Sequence, residues 1–245
     1  MRKFSVFTMC FLLFLAFMSV AYGATDPTTP GTDVKAIEKD LKNTFPQFRF
    51  DGFRKTPIAG IYEIDAGSQI FYFSPQGYLF FGELYSKDGV NITAQRRSQL
   101  MAARVKDLPL DEAIKIGSGK KTVIEFADPV CPFCRRAYEH LAKRKDITLY
   151  VFLFPLSQIH PQAMAMSRYI LCSSDQAKAF GEAMSGGLDG KNLGVPAGCG
   201  KANVLNEDIE AGKKAGVMGT PAFFINGRFV NGANLPLIDK LLATK

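Results

Sequence analysis

Phe126-Ala127-Asp128-Pro129-Val130-Cys131-Pro132-Phe133-Cys134 is the stretch that decides how this chain folds. Thr122 to Ala127 is a nearly continuous apolar run, the mark of a central strand covered on both faces. Beyond it, Ala137, Tyr138 and Leu141 fall at helical spacing and turn inward. A strand therefore runs into a helix with a C-x-x-C at the junction. There Cys131 takes the helix N-cap and Pro132 the first helical position, where a missing N–H leaves nothing unsatisfied. The unpaired N–H groups and positive end of the helix stabilise a thiolate at Cys131. A lowered pKa makes that sulfur both a good nucleophile and a good leaving group. Cys134 lies one turn further in, close enough to close a small ring, and Arg135 and Arg136 add positive potential. The alternatives are half a zinc site and an inert disulfide. Zinc would need two more ligands, yet there is no second C-x-x-C and the only histidines are His140 and His160.

Working outward from this stretch, the order from about Asp111 reads helix, strand, helix, strand. Ile147 to Phe154 is a second continuous apolar strand. A mostly helical stretch follows, from about His160 to Gly216. Ala222 to Ile225 and Arg228 to Val230 flank Asn226-Gly227, a strong two-residue hairpin signal. A helix over Pro236 to Ala243 closes the chain. Glu125 stands six residues before Cys131 inside an apolar strand, and two readings of it are open. Facing inward, desolvation would raise its pKa and fit it to exchange a proton with Cys134; facing solvent at a sheet margin, it is a plain surface acid. His140 reads as a surface residue of the active-site helix, and His160, before Pro161, as a helix start.

On the N-terminal side, Thr93 can cap a helix running to about Leu108, where Pro109 closes it. Leu100, Met101, Val105 and Leu108 form its apolar stripe and Arg96, Arg97, Arg104 and Lys106 its wet side. It reads as a packing face and as a connecting rod. Asn91-Ile92-Thr93 is a glycosylation sequon, which would be idle if the protein is bacterial. Further forward, Val34, Ile37, Leu41 and Phe45 recur at helical spacing behind Asp33. Strand-like runs follow at Ile58–Ile64, Gln69–Phe73 and Tyr78–Tyr85, punctuated by the turns Ala66-Gly67-Ser68 and Pro75-Gln76-Gly77. This is a helix against an antiparallel sheet, in a unit of a size that struggles to bury enough surface alone.

The chain has 245 residues, 47% hydrophobic and 22% charged, with a net charge of +7. Those are globular values, and they exclude disorder, collagen-like repeats and a coiled-coil rod. The first 23 residues read as a leader: Arg2 and Lys3, then an apolar run to Tyr22, with Ala21-Tyr22-Gly23 before a cleavage point. A transmembrane anchor is the alternative for this run, disfavoured because polar Thr25-Asp26 follows directly; a lipid anchor at Cys10 lacks a cleavage context. Cleavage after Gly23 removes two positive charges and lowers the net charge to +5. No basic stripe with interleaved aromatics accompanies that charge, which argues against nucleic acid. Ala24 to Asp33 is a Thr/Pro-rich leader to the fold. Cleavage also removes Cys10, leaving Cys131, Cys134, Cys172 and Cys199. Four cysteines in an exported chain allow three pairings. The C-x-x-C favours its own closure, and Cys172 with Cys199 then pair by exclusion. A bridge closing that loop stabilises by about 3–4 kcal/mol on the chain-entropy account.

Two motifs carry a family resemblance: the stretch from Phe126 to Cys134, and Gly219-Thr220-Pro221-Ala222 before a late strand. Together they resemble the DsbC/DsbG family of periplasmic thiol–disulfide isomerases. Gly60-Ile61-Tyr62-Glu63-Ile64 and Gly82-Glu83-Leu84-Tyr85 extend the likeness into the front of the chain. It implies an α+β N-terminal dimerisation domain over 24–92, a linker helix over 93–110, and an α/β thioredoxin-like C-terminal domain with a helical insertion over 111–245. It further implies a V-shaped homodimer in the periplasm, with no cofactor and no membrane anchor once the leader is cleaved. By this likeness Cys131 attacks, Cys134 resolves, Pro221 is a cis-proline facing them, and Thr220 contacts sulfur and substrate backbone. The implied partners are misfolded disulfide-containing proteins and a membrane reductase resembling DsbD. The chain also departs from the pattern. DsbC has Gly-Tyr between its cysteines, whereas Pro132-Phe133 is nearer to DsbG's Pro-Tyr. Cys172 and Cys199 instead match DsbC's structural disulfide. Glu125 matches neither, and its spacing resembles the buried acid of thioredoxin and DsbA. Besides isomerisation, two activities stay open: a DsbG-like reduction of oxidised single cysteines or an oxidase, and a chaperone whose apolar cleft holds unfolded chains.

Overall fold

Asp33 starts the described fold by accepting a hydrogen bond from Lys35 N at 3.0 Å, capping α1 (Val34–Thr44). The computed structural model describes residues 33–67, 69–194 and 199–244, so the leader expected over 1–23 lies outside the described residues. Four antiparallel strands follow as a meander in the order β1-β2-β3-β4: β1 (Gly52–Lys55), β2 (Tyr62–Ala66), β3 (Gln69–Ser74) and β4 (Tyr78–Phe80). Leu41, Ile64 and Phe73 form a small, fully buried core under α1, ringed by phenylalanines. The strand expected from Ile58 starts only at Tyr62. Ile61 N bonds to Ile58 O at 3.2 Å and Gly60 holds φ +74, so Ile58–Gly60 is a turn. β1 is a strand the apolar pattern missed, because charged Arg54 and Lys55 occupy it. The third run is shorter than expected; Tyr85 makes only an isolated bridge to Asn91.

Asn91, not Thr93, caps α2 (Ile92–Arg104), its Oδ1 accepting from Ala94 N at 2.8 Å. Thr93 is instead fully buried, bonded to the Tyr72 hydroxyl and accepting from Leu84 N. The arginines expected on a wet face are turned toward the first sheet. Arg96 bonds Glu63 at 3.1 Å, Arg97 bonds Glu83, and Arg104 donates to Gly67 O. The reason lies on β2: Glu63 and Asp65 are nearly buried, and buried carboxylates need cationic partners. Arg54 from β1 completes the cluster. Desolvation pushes the Glu63 pKa up, against the Arg96 hydrogen bond that lowers it. On its other face α2 buries Met101, Ala102 and Val105, and Ser98 Oγ accepts from Phe229 N at 2.8 Å. The helix is thus wedged between two sheets rather than free in solvent.

The second sheet has the order β5-β7-β6-β8-β9. Its strands are β5 (Ile114–Gly117), β6 (Lys121–Ala127), β7 (Ile147–Leu153), β8 (Ala222–Ile225) and β9 (Arg228–Asn231). β6 and β7 are parallel, and the other pairings are antiparallel. A helix was expected from about Asp111. The segment forms edge strand β5 instead, because Ile114 and Ile116 alternate with the exposed Lys115 at period two. The Asn226-Gly227 hairpin forms as the dipeptide dictates, both residues at positive φ. On one face of the sheet lie α3 (Pro132–Leu141), α4 (Ala163–Cys172), α5 (Gln176–Met184) and α7 (Leu235–Ala243), packed on Val123, Ala127 and Val151. On the other face Phe126, Phe152 and Phe224 pack against α2 and the end of α6 (Ala202–Ala215). A disulfide joins Cys172 to Cys199, with Cα atoms 5.8 Å apart. Among the described residues, no helix is long and apolar enough to cross a membrane.

Candidate active site

β6 delivers the chain to the C-x-x-C, and α3 carries it away. Cys131 is the N-cap of α3, with φ −63 and ψ 122, and Pro132 opens the helix. The turn before it is closed by Cys131 N donating to Asp128 O at 3.1 Å. Both cysteines are free thiols; Cys134 is fully buried beneath Cys131, which is 3% exposed. Thr220 O stands 3.5 Å from Cys131 Sγ. The Thr220–Pro221 peptide bond is cis, as expected, and leads directly into β8.

The environment drives the two thiols apart. Cys131 is lowered to about 5, chiefly because the Cys134 thiol donates to its sulfur. Burial opposes this, while the main-chain N–H groups of Cys134 and Phe133 and the otherwise unpartnered Thr220 hydroxyl reinforce it. Cys134 is driven strongly upward, first by desolvation and then by its donation to Cys131 and the nearby charges of Glu125 and Cys131. One sulfur is therefore a thiolate at neutral pH, and the other holds its proton until something removes it.

Glu125 settles on the inward reading. Strand alternation puts it on the same face as Val123 and Ala127, toward α3. It is fully buried, and neither carboxyl oxygen has a hydrogen-bond partner. Desolvation, with a smaller push from Cys131, raises its pKa to about 8. A carboxyl that can gain or lose a proton near neutral pH thus lies in the layer under the dithiol.

Of the other charged residues near the motif, His140 lies at the surface of the helix as expected, whereas the arginines and His160 are placed differently. Arg135 does not offer free positive charge to the thiolate. Its guanidinium forks onto Asp189 at 2.6 and 2.7 Å and donates to Pro129 O, which pins the turn. Arg136 lies over the Phe133 ring and donates to Ala233 O. His140 pairs with Asp239 at 2.9 Å and seats α3 on α7, away from the chemistry. His160 does more than start a helix: its Nδ1 is 2.9 Å from Asp128 Oδ2. Asp128 is the residue that sequence reasoning passed over. Its only signal was an acid ending an apolar strand three positions before the N-cap. Three exposed apolar side chains also lie around the motif or on the loops near it: Phe133, Ile159 and Met218.

Known families and proteins match the chain over both of its halves. Residues 28–94 match the disulfide bond isomerase protein N-terminal domain, and residues 108–238 match the thioredoxin-like domain. A probable thiol:disulfide interchange protein DsbC of Bordetella avium is 30% identical over 207 residues, covering 83% of this chain and 72% of that protein. The chain belongs to the DsbC/DsbG family. Within that family it is 27% identical to the thiol:disulfide interchange protein DsbC of Salmonella typhimurium, over 94% of this chain and 89% of that one. It is 28% identical to the thiol:disulfide interchange protein DsbG of Escherichia coli, over 87% and 88%. Among solved structures, a disulfide interchange protein from Neisseria gonorrhoeae aligns with 55% of this chain and 96% of its own, at 34% identity and a TM-score of 0.46.

Proposed function

We propose that this protein is a periplasmic thiol–disulfide isomerase whose reacting groups are Cys131 and Cys134. The observation that carries this is the opposed tuning of the two thiols: an acidic sulfur at the helix N-cap, lowered to about 5, over a buried partner held protonated. The Cys131 thiolate attacks one sulfur of a non-native disulfide. A Cys131–substrate disulfide forms, and the other substrate sulfur leaves as a thiolate. In isomerisation that thiolate attacks a second substrate disulfide, a substrate thiolate later attacks the mixed disulfide, and Cys131 leaves unchanged in redox state. In the resolving branch Cys134 gives up its proton, for which the ionised fraction of the buried Glu125 carboxyl is the nearby acceptor, and attacks Cys131 Sγ. The substrate leaves reduced by two electrons and Cys131–Cys134 is oxidised by two. A membrane reductase resembling DsbD must then return those electrons. Thr220 and Pro221 face the reacting sulfur and receive the substrate chain. Cys172–Cys199 is a structural bridge that takes no part.

The working unit is a homodimer built by residues 24–92, with 93–110 as the connecting helix and 111–245 as the catalytic unit. Support for this comes from β4, an edge strand whose surroundings leave Tyr78, Phe80, Phe81 and Tyr85 exposed; Phe81 is 70% exposed. Unpaired edges with apolar side chains invite pairing, and a self-complementary edge gives a twofold dimer. The leader over 1–23 directs export and is removed. A chaperone activity has its own support in exposed Phe133, Ile159 and Met218, which offer apolar contact to an unfolded chain. Cys131→Ser separates the two activities. It should abolish refolding of a scrambled disulfide protein while aggregation is still suppressed; retained refolding would refute the dithiol mechanism.

A further inference from the structure

Asp128 is completely buried and fully engaged. Its main-chain carbonyl accepts from Cys131 N, and its main-chain N–H is directed at the Cys134 thiol. Its carboxylate takes three more bonds. Oδ1 accepts from Val130 N at 2.7 Å; Oδ2 accepts from Leu156 N at 2.8 Å and meets His160 Nδ1 at 2.9 Å. An oxygen in that role is an acceptor, so the ring nitrogen facing it carries the hydrogen.

Leu156 and His160 bracket the loop between β7 and α4. Leu156 O accepts from both Ile159 N and His160 N, at 3.0 and 2.9 Å. The loop is therefore a closed ring, and Asp128 clasps it to the C-x-x-C turn. The same loop lines a groove of about 690 Å³, together with Met164, Ile209 and Met218. Ile159 is 67% exposed and Met218 77%. Met218, at one end of the groove, is two residues before Thr220, whose carbonyl oxygen lies 3.5 Å from Cys131 Sγ. Its charged lining residues, Glu210 and Lys213, pair with each other at 2.7 Å, and the apolar side chains share the surface with Ser157, Gln158 and Asn206.

We propose that Asp128 and His160 are a positioning pair for substrate. They hold the 155–160 loop as a groove wall beside Cys131, so that an extended apolar segment of a substrate chain presents its neighbouring disulfide to the thiolate. This rests on the disulfide-exchange reading above. Without the His160 bond the loop keeps its own ring and the Leu156 tie, but its far end is no longer fixed to the C-x-x-C turn.

The test uses the full-length reduced protein and two substrates: a disulfide-closed peptide with Leu and Phe beside its cysteines, and oxidised glutathione as a small reference. In His160→Ala the ratio of kcat/KM for the peptide to that for glutathione should fall about tenfold, the scale of one lost charge-assisted hydrogen bond. The loss should appear in KM, with kcat for the peptide held within about twofold. His160→Asn should restore the ratio, because its amide nitrogen sits about where Nδ1 does. An unchanged ratio, a fall confined to kcat, or no rescue by Asn would each overturn the positioning role. A wild-type protein that exchanges with neither substrate would instead overturn the disulfide-exchange reading itself.

Discussion

Replacing Glu125 with Gln should shift stability in the variant's favour by an amount that grows with pH. The carboxyl is fully buried with both oxygens unpartnered, and burial raises its pKa from 4.5 to about 8. Between those values the folded state holds a proton that the unfolded chain has released. Stability contributed by the group is therefore complete below about pH 4.5 and is lost as pH rises toward 8. The slope is about 1.4 kcal/mol per pH unit, so the loss reaches about 3 kcal/mol at pH 7 and levels off near 5 kcal/mol above pH 8. Glutamine has the same shape and does not titrate, and the desolvation of its amide is independent of pH. Urea unfolding of wild type and Glu125→Gln from pH 4 to 9 gives the difference directly. The gap should open between about pH 4.5 and 8 and level off above that. It should persist in the oxidised protein, because desolvation outweighs the Cys131 charge as its cause. Parallel stability curves would show that Glu125 is solvated or paired in solution, and its role as proton acceptor for Cys134 would fall with it.

Two further outcomes follow from the same geometry. Thiolate absorbance should titrate with a midpoint near pH 5 from Cys131 alone, and Cys134→Ala should move that midpoint upward, since the Cys134 thiol is the largest stabiliser of the thiolate. The sign follows for the fold: the reduced form gains stability from this group above the unfolded thiol range and loses it relative to the oxidised form as pH falls toward 5. A midpoint near pH 8, or one indifferent to Cys134→Ala, would contradict the site's electrostatics. Light scattering should give a dimer at micromolar concentration, and paired Phe80→Glu and Phe81→Glu substitutions should yield a monomer that keeps its dithiol but loses most isomerase activity; a wild-type monomer with full isomerase activity would refute the dimer.

The catalytic half of the fold was legible because its elements are strongly patterned. Apolar runs mark β6 and β7, Asn226-Gly227 marks the hairpin, and Cys131-Pro132 marks a helix start. β5 was missed because its period-two alternation spans only four residues, too short to stand out from the flanking polar segment. The arginine face of α2 was misread for a different reason. A row of arginines on a helix reads as solvated unless the sequence reveals partners, and Glu63 and Asp65 lie about thirty residues away on β2. Within the site, the placement of Cys131 and Cys134 at the helix start was legible from local position, whereas the sequence left Glu125 open between an inward and a solvent-facing acid. The Asp128–His160 contact joins residues 32 apart through the fold, and no periodicity announces such a pairing. Arg135 shows the converse: its charge was legible, but its neutralisation by Asp189, 54 residues on, was not.

The central claim is that Cys131 attacks substrate disulfides and Cys134 resolves the product. It is tested most directly by mapping the covalent adduct formed when reduced Cys134→Ala protein meets a scrambled disulfide substrate. With no second thiol at the site, mixed disulfides should accumulate through Cys131, and peptide mapping should find the substrate cysteine joined there, while Cys131→Ala forms none. Adducts that form through Cys134 in Cys131→Ala, or an absence of adducts in Cys134→Ala, would contradict the account.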